Sequence, residues 1–399
     1  MTQLVLSGMT RASSIPTAAS GAGQLPFTAE VLPGRTACEV IADDWRELAQ
    51  RIAAPSLFQL PELLSVWAGE FATERSFSVV VVRHSGRAVL IWPVNLKRRG
   101  PLRIVTGAGA PVGQYDEILL DPGVDGKAAV SAAVRSLVAA LRADLILLER
   151  VRDDGPLSAA IKDVAAVSGP EGAPYCDLSS GFEALRATLK GRVNSQQKKR
   201  VRRFEKEGAI MFEVAANAEQ AEAWLGEALA LKRDWLRSTG RISRAFADPS
   251  TARCLAQLSR NLTGTGPGLR MMVFRLALDG RTAAIEMCFR KGGTLHLYLG
   301  AFAPEFAVFG PGNILTERIL RWCEENAIGR YDMLAPRSRF KSEWQSGEVE
   351  VADYVIPVTV RGRLYDFLVL EGLAPARRRL FSGLPPRMRS VVASWILKI

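Results

Sequence analysis

Residues 294–300 alternate, with Thr294, His296, Tyr298 and Gly300 on one face and Leu295, Leu297 and Leu299 on the other. That period of two predicts a half-buried strand. The preceding run, 282–290, alternates as well, and Lys291-Gly292-Gly293 suits a three-residue hairpin loop between them. Counting back from that loop sets Cys288 opposite His296 and Glu286 opposite Tyr298, so that Glu286, His296 and Tyr298 share one face. After the strand, Ile314, Ile319, Leu320 and Cys323 recur at helical spacing up to about Ala327, with Gly329 as the stop. A further strand follows at 330–334.

The same alphabet recurs along the chain. A first module, 33–168, holds a short strand at 37–41, helical segments at 43–52 and 61–71, and a hairpin at 76–83 and 88–94 turned by Ser85-Gly86. Strands at 102–106 and 117–120, a helix at 127–143, a strand at 145–151 and a helix at 157–167 complete it. A second module, 209–360, runs through a strand at 210–215, helices at 219–238 and 250–262, and two strands at 270–278 and 282–290 joined by Asp279-Gly280. The strand, helix and strand of 294–334 close it. This recurrence predicts a duplicated α/β (α+β) fold. Between the modules, 169–208 connects through a single helical stripe over 181–208, and 361–399 forms a basic helical tail.

Composition narrows the class. Hydrophobic residues make up 48% of the 399 residues without any run the length of a membrane span, which implies a globular chain. Five scattered cysteines and two histidines argue against a disulfide framework and a metal centre. Residues 1–32 are rich in Ser, Thr, Ala and Gly without a signal-peptide pattern, which predicts a disordered leader on a cytoplasmic protein.

The net charge of +11 is local. Residues 190–206 carry net +7 and residues 361–399 net +6, so the remainder is slightly acidic. Arg192 and Lys199 lie on the basic side of the first segment, which is either a rail for an acidic ligand or a solvated helix face. Arg377, Arg378, Arg379 and Arg387 mark the second as a basic amphipathic tail. It is suited to docking on the second module, to an anionic membrane at the inner face of the cell, or to a cyclic dinucleotide.

Candidate chemistry concentrates in the second module. Glu286, His296 and Tyr298 supply a carboxylate, an imidazole and a phenol, the groups from which a general base and acid are drawn. Gly310-Pro311-Gly312-Asn313 opens a helix, where exposed backbone N–H groups and the helix dipole favour a phosphate. Arg337, Arg339 and Lys341 cluster beyond the next strand, where the crevice of an open sheet lies. No nucleophile elbow and no P-loop run occurs.

Gly310-Pro311-Gly312, Tyr331-Asp332 and Phe340-Lys341, in that order, resemble the C-terminal half of GNAT-like acyltransferases of the BioF-like or CelD-like branch, related to the FemAB peptidyltransferases. Ser56-Leu57-Phe58-Gln59 with Trp67, and the basic run 192–203 followed by Phe204-Glu205-Lys206-Glu207-Gly208, resemble further landmarks of the branch. Phe340 stands where the branch usually has tyrosine.

The resemblance implies tandem GNAT-like domains, and acyl transfer from acetyl-CoA or another acyl-CoA to an amine on a sugar or surface-polymer precursor. It places the donor along Leu299, Gly300, Gly310, Gly312 and Asn313. Lys341 would then stabilise negative charge or orient an anionic acceptor, Asp332 would orient Lys341 or Arg337, and Glu286 would be the base with Tyr298 as acid. Two rivals stand beside this reading. One is a FemAB-type aminoacyltransferase fed by charged tRNA through the basic helix; the other is a non-enzymatic binder of an anionic polymer or signalling nucleotide.

Overall fold

The computed structural model describes residues 27–54, 56–164, 171–189, 191–241, 243–264 and 268–366. The tail reading, with Arg377, Arg378, Arg379 and Arg387, lies outside them, as does most of the leader.

The first half runs β1 (Thr28–Pro33), α1 (Ala37–Val40), α2 (Ala42–Arg51), α3 (Pro61–Phe71), β2 (Phe77–His84), β3 (Arg87–Arg99), β4 (Leu102–Gly107), β5 (Leu119–Leu120), α4 (Gly126–Leu141), β6 (Leu145–Arg152) and α5 (Pro156–Ala160). Next come β7 (Glu171–Asp177), α6 (Phe182–Thr188) and α7 (Gly191–Glu205). The second half runs β8 (Ile210–Val214), α8 (Ala218–Thr239), α9 (Arg244–Ala247), α10 (Pro249–Leu262), β9 (Leu269–Leu278), β10 (Arg281–Lys291), β11 (Thr294–Phe302), α11 (Pro311–Glu325), β12 (Arg330–Asp332), α12 (Arg339–Trp344), β13 (Gly347–Pro357) and α13 (Val360–Tyr365).

The strands form one mixed sheet in the order β1-β2-β3-β4-β6-β13-β7-β12-β11-β10-β9-β8, with β5 alongside β3. Two half-sheets of the same design, a meander ending in a parallel pair, meet at the centre. Their last strands are exchanged. β7 follows the first half in sequence but pairs with β12 of the second, and β13 follows the second half but pairs with β6 of the first. β7 and β13 then pair with each other. A module boundary drawn near residue 168 or 360 therefore cuts through a shared sheet, because each half takes its sixth strand from beyond its own sequence.

Helices cover both faces. α8 and α10 pack with α3 and the first-half helices in one core that includes Trp45, Trp67, Leu225 and Leu255. On the other face α6, α7 and α11 enclose a second core with Phe182, Phe204, Ile314 and Leu320. α4 closes a third over the first half-sheet, with Ala133 and Leu137.

Several local expectations change. Residues 28–32, placed in the leader, belong with Pro33 to strand β1, held by antiparallel pairing to the Val-rich β2. Residues 37–40, expected as a strand, form α1, with Ala37 and Cys38 turned into the core. The stripe over 181–208 is two helices, α6 and α7, separated near Gly191. The helix expected over 157–167 is the short α5.

Candidate active site

β11 and β12 run parallel for three rungs only, Thr294–Arg330, Leu295–Tyr331 and His296–Asp332. β12 ends at Asp332 while β11 continues to Phe302, so the strands part and leave a wedge whose apex is His296 and Asp332. A wedge of this kind exposes the inner edge of β11 to a ligand.

The β10–β11 register differs from the one expected from the sequence. Lys291 pairs with Thr294, so the loop is the two-residue Gly292-Gly293, with Gly292 at φ +55°. Phe289, not Cys288, faces His296, and an irregularity at Met287/Cys288 leaves Tyr298 as the extra residue and sets Glu286 against Gly300. The expected trio is thereby split. Tyr298 stacks edge-on against Phe289, ring centroids 5.5 Å apart, in the core under α8 and α10. Glu286 points to the opposite face, beneath α11.

There Glu286 is 3% exposed and accepts hydrogen bonds from Thr316 Oγ1 (2.8 Å) and Tyr331 OH (2.6 Å). Burial pushes its carboxyl up to about 7, against the lowering effect of those two hydroxyl donors. It braces the helix behind the wedge and does not share a chamber with His296.

α11 begins at the mouth of the wedge. Its N-cap is Gly310 at φ +65°, without a side-chain cap, and its first residue is Pro311. A Cβ added to Gly312 would meet nothing within 4 Å, so the N-terminal backbone there is open. α7 crosses beside it: Gln197 Nε2 donates to Asn313 O (3.1 Å), and the Arg200 guanidinium lies 3.2 Å from the position of a Cβ on Gly310. Trp344 Nε1 donates to Asn313 Oδ1 (3.0 Å) and fixes the loop from the other side. The helix dipole, the Gly312 N–H and the adjacent Arg200 guanidinium, which also reaches Glu343 at 3.7 Å, make an anion cradle, while the Asn313 N–H is already given to Gly310 O (3.0 Å). Leu299 is buried in β11, and Gly300 borders the wedge.

On the face opposite α11, a cleft of about 330 Å³ between the two halves runs from the apex along the paired rungs toward the Gly292-Gly293 loop, lined by His296, Arg330, Asp332, Tyr115, Glu117 and Arg152. Asp332, 2% exposed, accepts from Arg152 Nη1 (3.1 Å) across the halves and from the Leu334 N–H (2.9 Å). Arg152 also grips Asp154 through Nε and Nη2, at 2.9 and 3.0 Å, and lies over the Tyr115 ring. Tyr115 OH accepts from the Ala335 N–H (2.6 Å). Burial pulls His296 down to about 4, so its imidazole is neutral at pH 7, and its Nδ1 is buried without a partner.

Lys341 follows the wedge. Its Nζ donates to Leu334 O (2.8 Å) and Pro336 O (3.0 Å), and burial pulls it down to about 8 while Asp332 acts in the other direction. Arg337 instead forks onto Glu348, and Arg339 reaches Glu343 at 3.6 Å, so neither points into the cleft as expected. Lys199 is exposed on α7, and Arg192 lies in the first turns of that helix. Arg152, Tyr115 and Arg330 were missed by the sequence reading; the signal available was a charged run, Arg152-Asp153-Asp154, at the end of an apolar strand.

The first half contains the same wedge, filled. β4 and β6 are parallel for three rungs, Ile104–Leu145, Val105–Ile146 and Thr106–Leu147. Beyond them Asp116 is inserted: its N–H donates to Glu149 O (3.1 Å) and its carboxylate accepts from the Glu149 N–H (2.8 Å). Next to it Glu117 accepts from the Leu157 and Ile118 N–H groups, at 2.8 and 3.0 Å. The helix that follows, α4, is capped by Asp125, whose side chain accepts from the Ala128 N–H (3.1 Å). Carboxylates occupy the places that a phosphate would need.

Among the described residues no group of His, Cys, Asp and Glu could hold a metal ion, and no helix is long and apolar enough to cross a membrane.

Residues 191–342 match the family described as Acetyltransferase (GNAT) domain. The crystal structure of FemX is similar over 82% of this chain and 98% of that one, at 13% identity and a TM-score of 0.54. The C-terminal domain of a putative lysylphosphatidylglycerol synthetase from Agrobacterium fabrum is similar over 84% and 99%, at 15% identity and a TM-score of 0.50. A tandem GNAT protein from the clavulanic acid biosynthesis pathway aligns over 82% and 98%, at 13% identity and a TM-score of 0.48. No curated protein matches the chain. The sheet is thus built of two like halves, and residues 191–342, in and just before the second, carry the match to the GNAT acetyltransferase domain.

Proposed function

We propose that the protein transfers an acyl group, acetyl in the first instance, from acyl-CoA to an amine, and that only its second half binds the donor. The observation that carries this reading is the open wedge between β11 and β12, with the uncapped start of α11 at its mouth. Pantetheine would lie along Leu299 and Gly300, and the pyrophosphate against Gly310, Gly312 and Asn313 with Arg200 beside it. The branch of BioF-like or CelD-like enzymes, and an acceptor from a sugar or surface-polymer precursor, remain the class this reading points to.

In the reaction the amine nitrogen attacks the thioester carbonyl carbon, an oxyanion builds, the C–S bond breaks and the proton lost from nitrogen ends on the thiolate. Lys341, beside the apex, would orient an anionic acceptor, and the developing oxyanion would face the backbone N–H groups on the free edge of β11. His296, too weakly basic to store the proton, would accept a hydrogen bond from an amine that enters neutral. Asp332, engaged by Arg152, holds the apex together. Glu286, on the other face, supports α11, and Tyr298 is packed away from the wedge.

The test is calorimetric titration with acetyl-CoA, beside a Gly312→Trp variant. The open space around Gly312 lets the indole project into the cradle without disturbing the core. Micromolar binding at one site per chain, weakened at least a hundredfold in the variant, is the expected result. A folded protein that binds no acyl-CoA but retains tRNA through the exposed Lys198, Lys199 and Arg202 of α7 would shift the reading to aminoacyl transfer.

A further inference from the structure

On the α8 face, the open end of the wedge is bordered by two ammonium groups that, among the described residues, have no carboxylate bonded to them. Lys232, on α8, reaches across to β11, where its Nζ lies 3.4 Å from Gly300 O and 4.7 Å from the centroid of the Trp235 ring. Lys341, beyond β12, donates only to the Leu334 and Pro336 carbonyls. The two lysines therefore mark the two diverging strands, one at the far end of β11 and one past the end of β12. Arg241 stacks on the same Trp235 at 4.9 Å and adds a third cation.

Donor counting shows that the pair is incomplete. An ammonium carries three N–H donors; Lys341 uses two and Lys232 one, so three remain. The nearest carboxylate, Asp332, is already held by Arg152 and the Leu334 N–H. Asp332 and Glu171 favour the Lys341 charge from a distance but neither bonds it, and a half-buried cation without a bonded counter-charge is costly to keep unless a ligand supplies one. Burial lowers both lysines below their usual range, and each is lowered further by a neighbouring cation, Arg241 for Lys232 and Lys232 for Lys341. The anion cradle at α11 cannot be that ligand's seat, since it opens on the opposite face of the sheet.

We infer that Lys232 and Lys341 form a second anion subsite, on the acceptor side of the wedge, that holds a carboxylate or phosphate carried by the acceptor amine. This rests on the acyl-transfer reading for the word acceptor, though the subsite itself does not. It makes Lys232 a substrate-binding residue, which nothing in the periodicity of α8 foretold, and narrows the acceptor to amines that bear a negative group.

Full-length protein is titrated calorimetrically with inorganic phosphate and, separately, with acetate, with and without saturating desulfo-CoA to fill the donor cradle. One of the two anions binds in the presence of desulfo-CoA. Its affinity falls at least tenfold in Lys232→Met, whose side chain still packs on Trp235, and at least tenfold in Lys341→Met. Lys232→Arg stays within about threefold, and Lys127→Met, on the remote α4, is unchanged. Whichever anion binds tells phosphate from carboxylate acceptors. No heat with either anion, or affinity indifferent to Lys232→Met, overturns the subsite. Failure of acetyl-CoA to bind while the anion still does would instead remove the donor reading and leave the subsite standing.

Discussion

Two wedges of the same construction lie in one sheet, and they differ in what fills them. Each is the divergence of a parallel strand pair after three rungs, followed by a helix. In the first half the gap is taken by Asp116 and Glu117, and α4 is capped by Asp125. In the second half the gap is open, α11 has a glycine N-cap without a side-chain partner, and Arg200 of α7 stands beside it. The electrostatics follow directly. A carboxylate already satisfying backbone amides excludes a phosphate, whereas a helix start without a side-chain cap, next to a guanidinium, favours one. Of the two wedges one is open and the other is plugged, and the first half walls the open one through Arg152 and Tyr115.

The sharpest way to break that comparison is a methyl group at the glycine bordering each wedge. A Cβ on Gly107 would stand 2.1 Å from Asp116 Oδ1, while one on Gly300 would meet only Glu286 Cγ at 3.8 Å, an ordinary contact. Gly107→Ala must expel the Asp116 carboxyl and lose its bond from the Glu149 N–H, a strain and desolvation cost of roughly 4 kcal/mol. Gly300→Ala should change stability by under about 1 kcal/mol and weaken acetyl-CoA instead. Urea unfolding of both variants reads this directly; equal losses in the two would mean that the first wedge is not plugged in solution.

The sequence displayed much of this architecture and little of its site. The alternation at 294–300, the helix after Gly312 and the Asp279-Gly280 turn are local signals, and each forms where its pattern indicates. The duplication was visible for the same reason. What failed was non-local. The register set by the two-residue Gly292-Gly293 loop leaves the leucine alternation of β11 intact as text, yet it puts Glu286 on the face opposite His296. The exchange of β7 and β13 is decided by pairing between strands about 175 residues apart in sequence. Arg152 and Asp332 meet across 180 residues, and Lys232 has no pattern to distinguish it from other lysines on α8.

Glu286 offers the next test, because its face decides its role. Glu286→Gln should leave turnover within about threefold, since the carboxyl braces α11 from behind the wedge. Its stability signature is separate. With the folded pKa raised by burial from 4.5 to about 7, the native state holds a proton that the unfolded chain releases. Wild-type stability therefore declines as pH rises from about 4.5 to 7 and is level above that, a loss of roughly 3 kcal/mol. The glutamine variant lacks that slope, so relative to wild type it improves by this amount between pH 4 and pH 8, after a constant penalty for mispairing one hydroxyl donor. Turnover collapsing in Glu286→Gln with stability unaffected would restore the residue to catalysis.

The smallest effect is expected at the cap of α4. Asp125→Ala removes the bond from the Ala128 N–H and should cost about 1 kcal/mol. It bares the helix start in the first half, which then resembles that of α11 in lacking a side-chain cap. If an uncapped helix were enough to recruit the donor, this variant would bind a second acetyl-CoA. It should not, because Asp116 still fills the gap between β4 and β6 and the cation beside the cap, Lys127, is paired with Asp163. Calorimetric stoichiometry distinguishes the cases: one acetyl-CoA per chain means that the open wedge and its flanking cations are required together with the helix, and two would assign the selectivity to the cap alone.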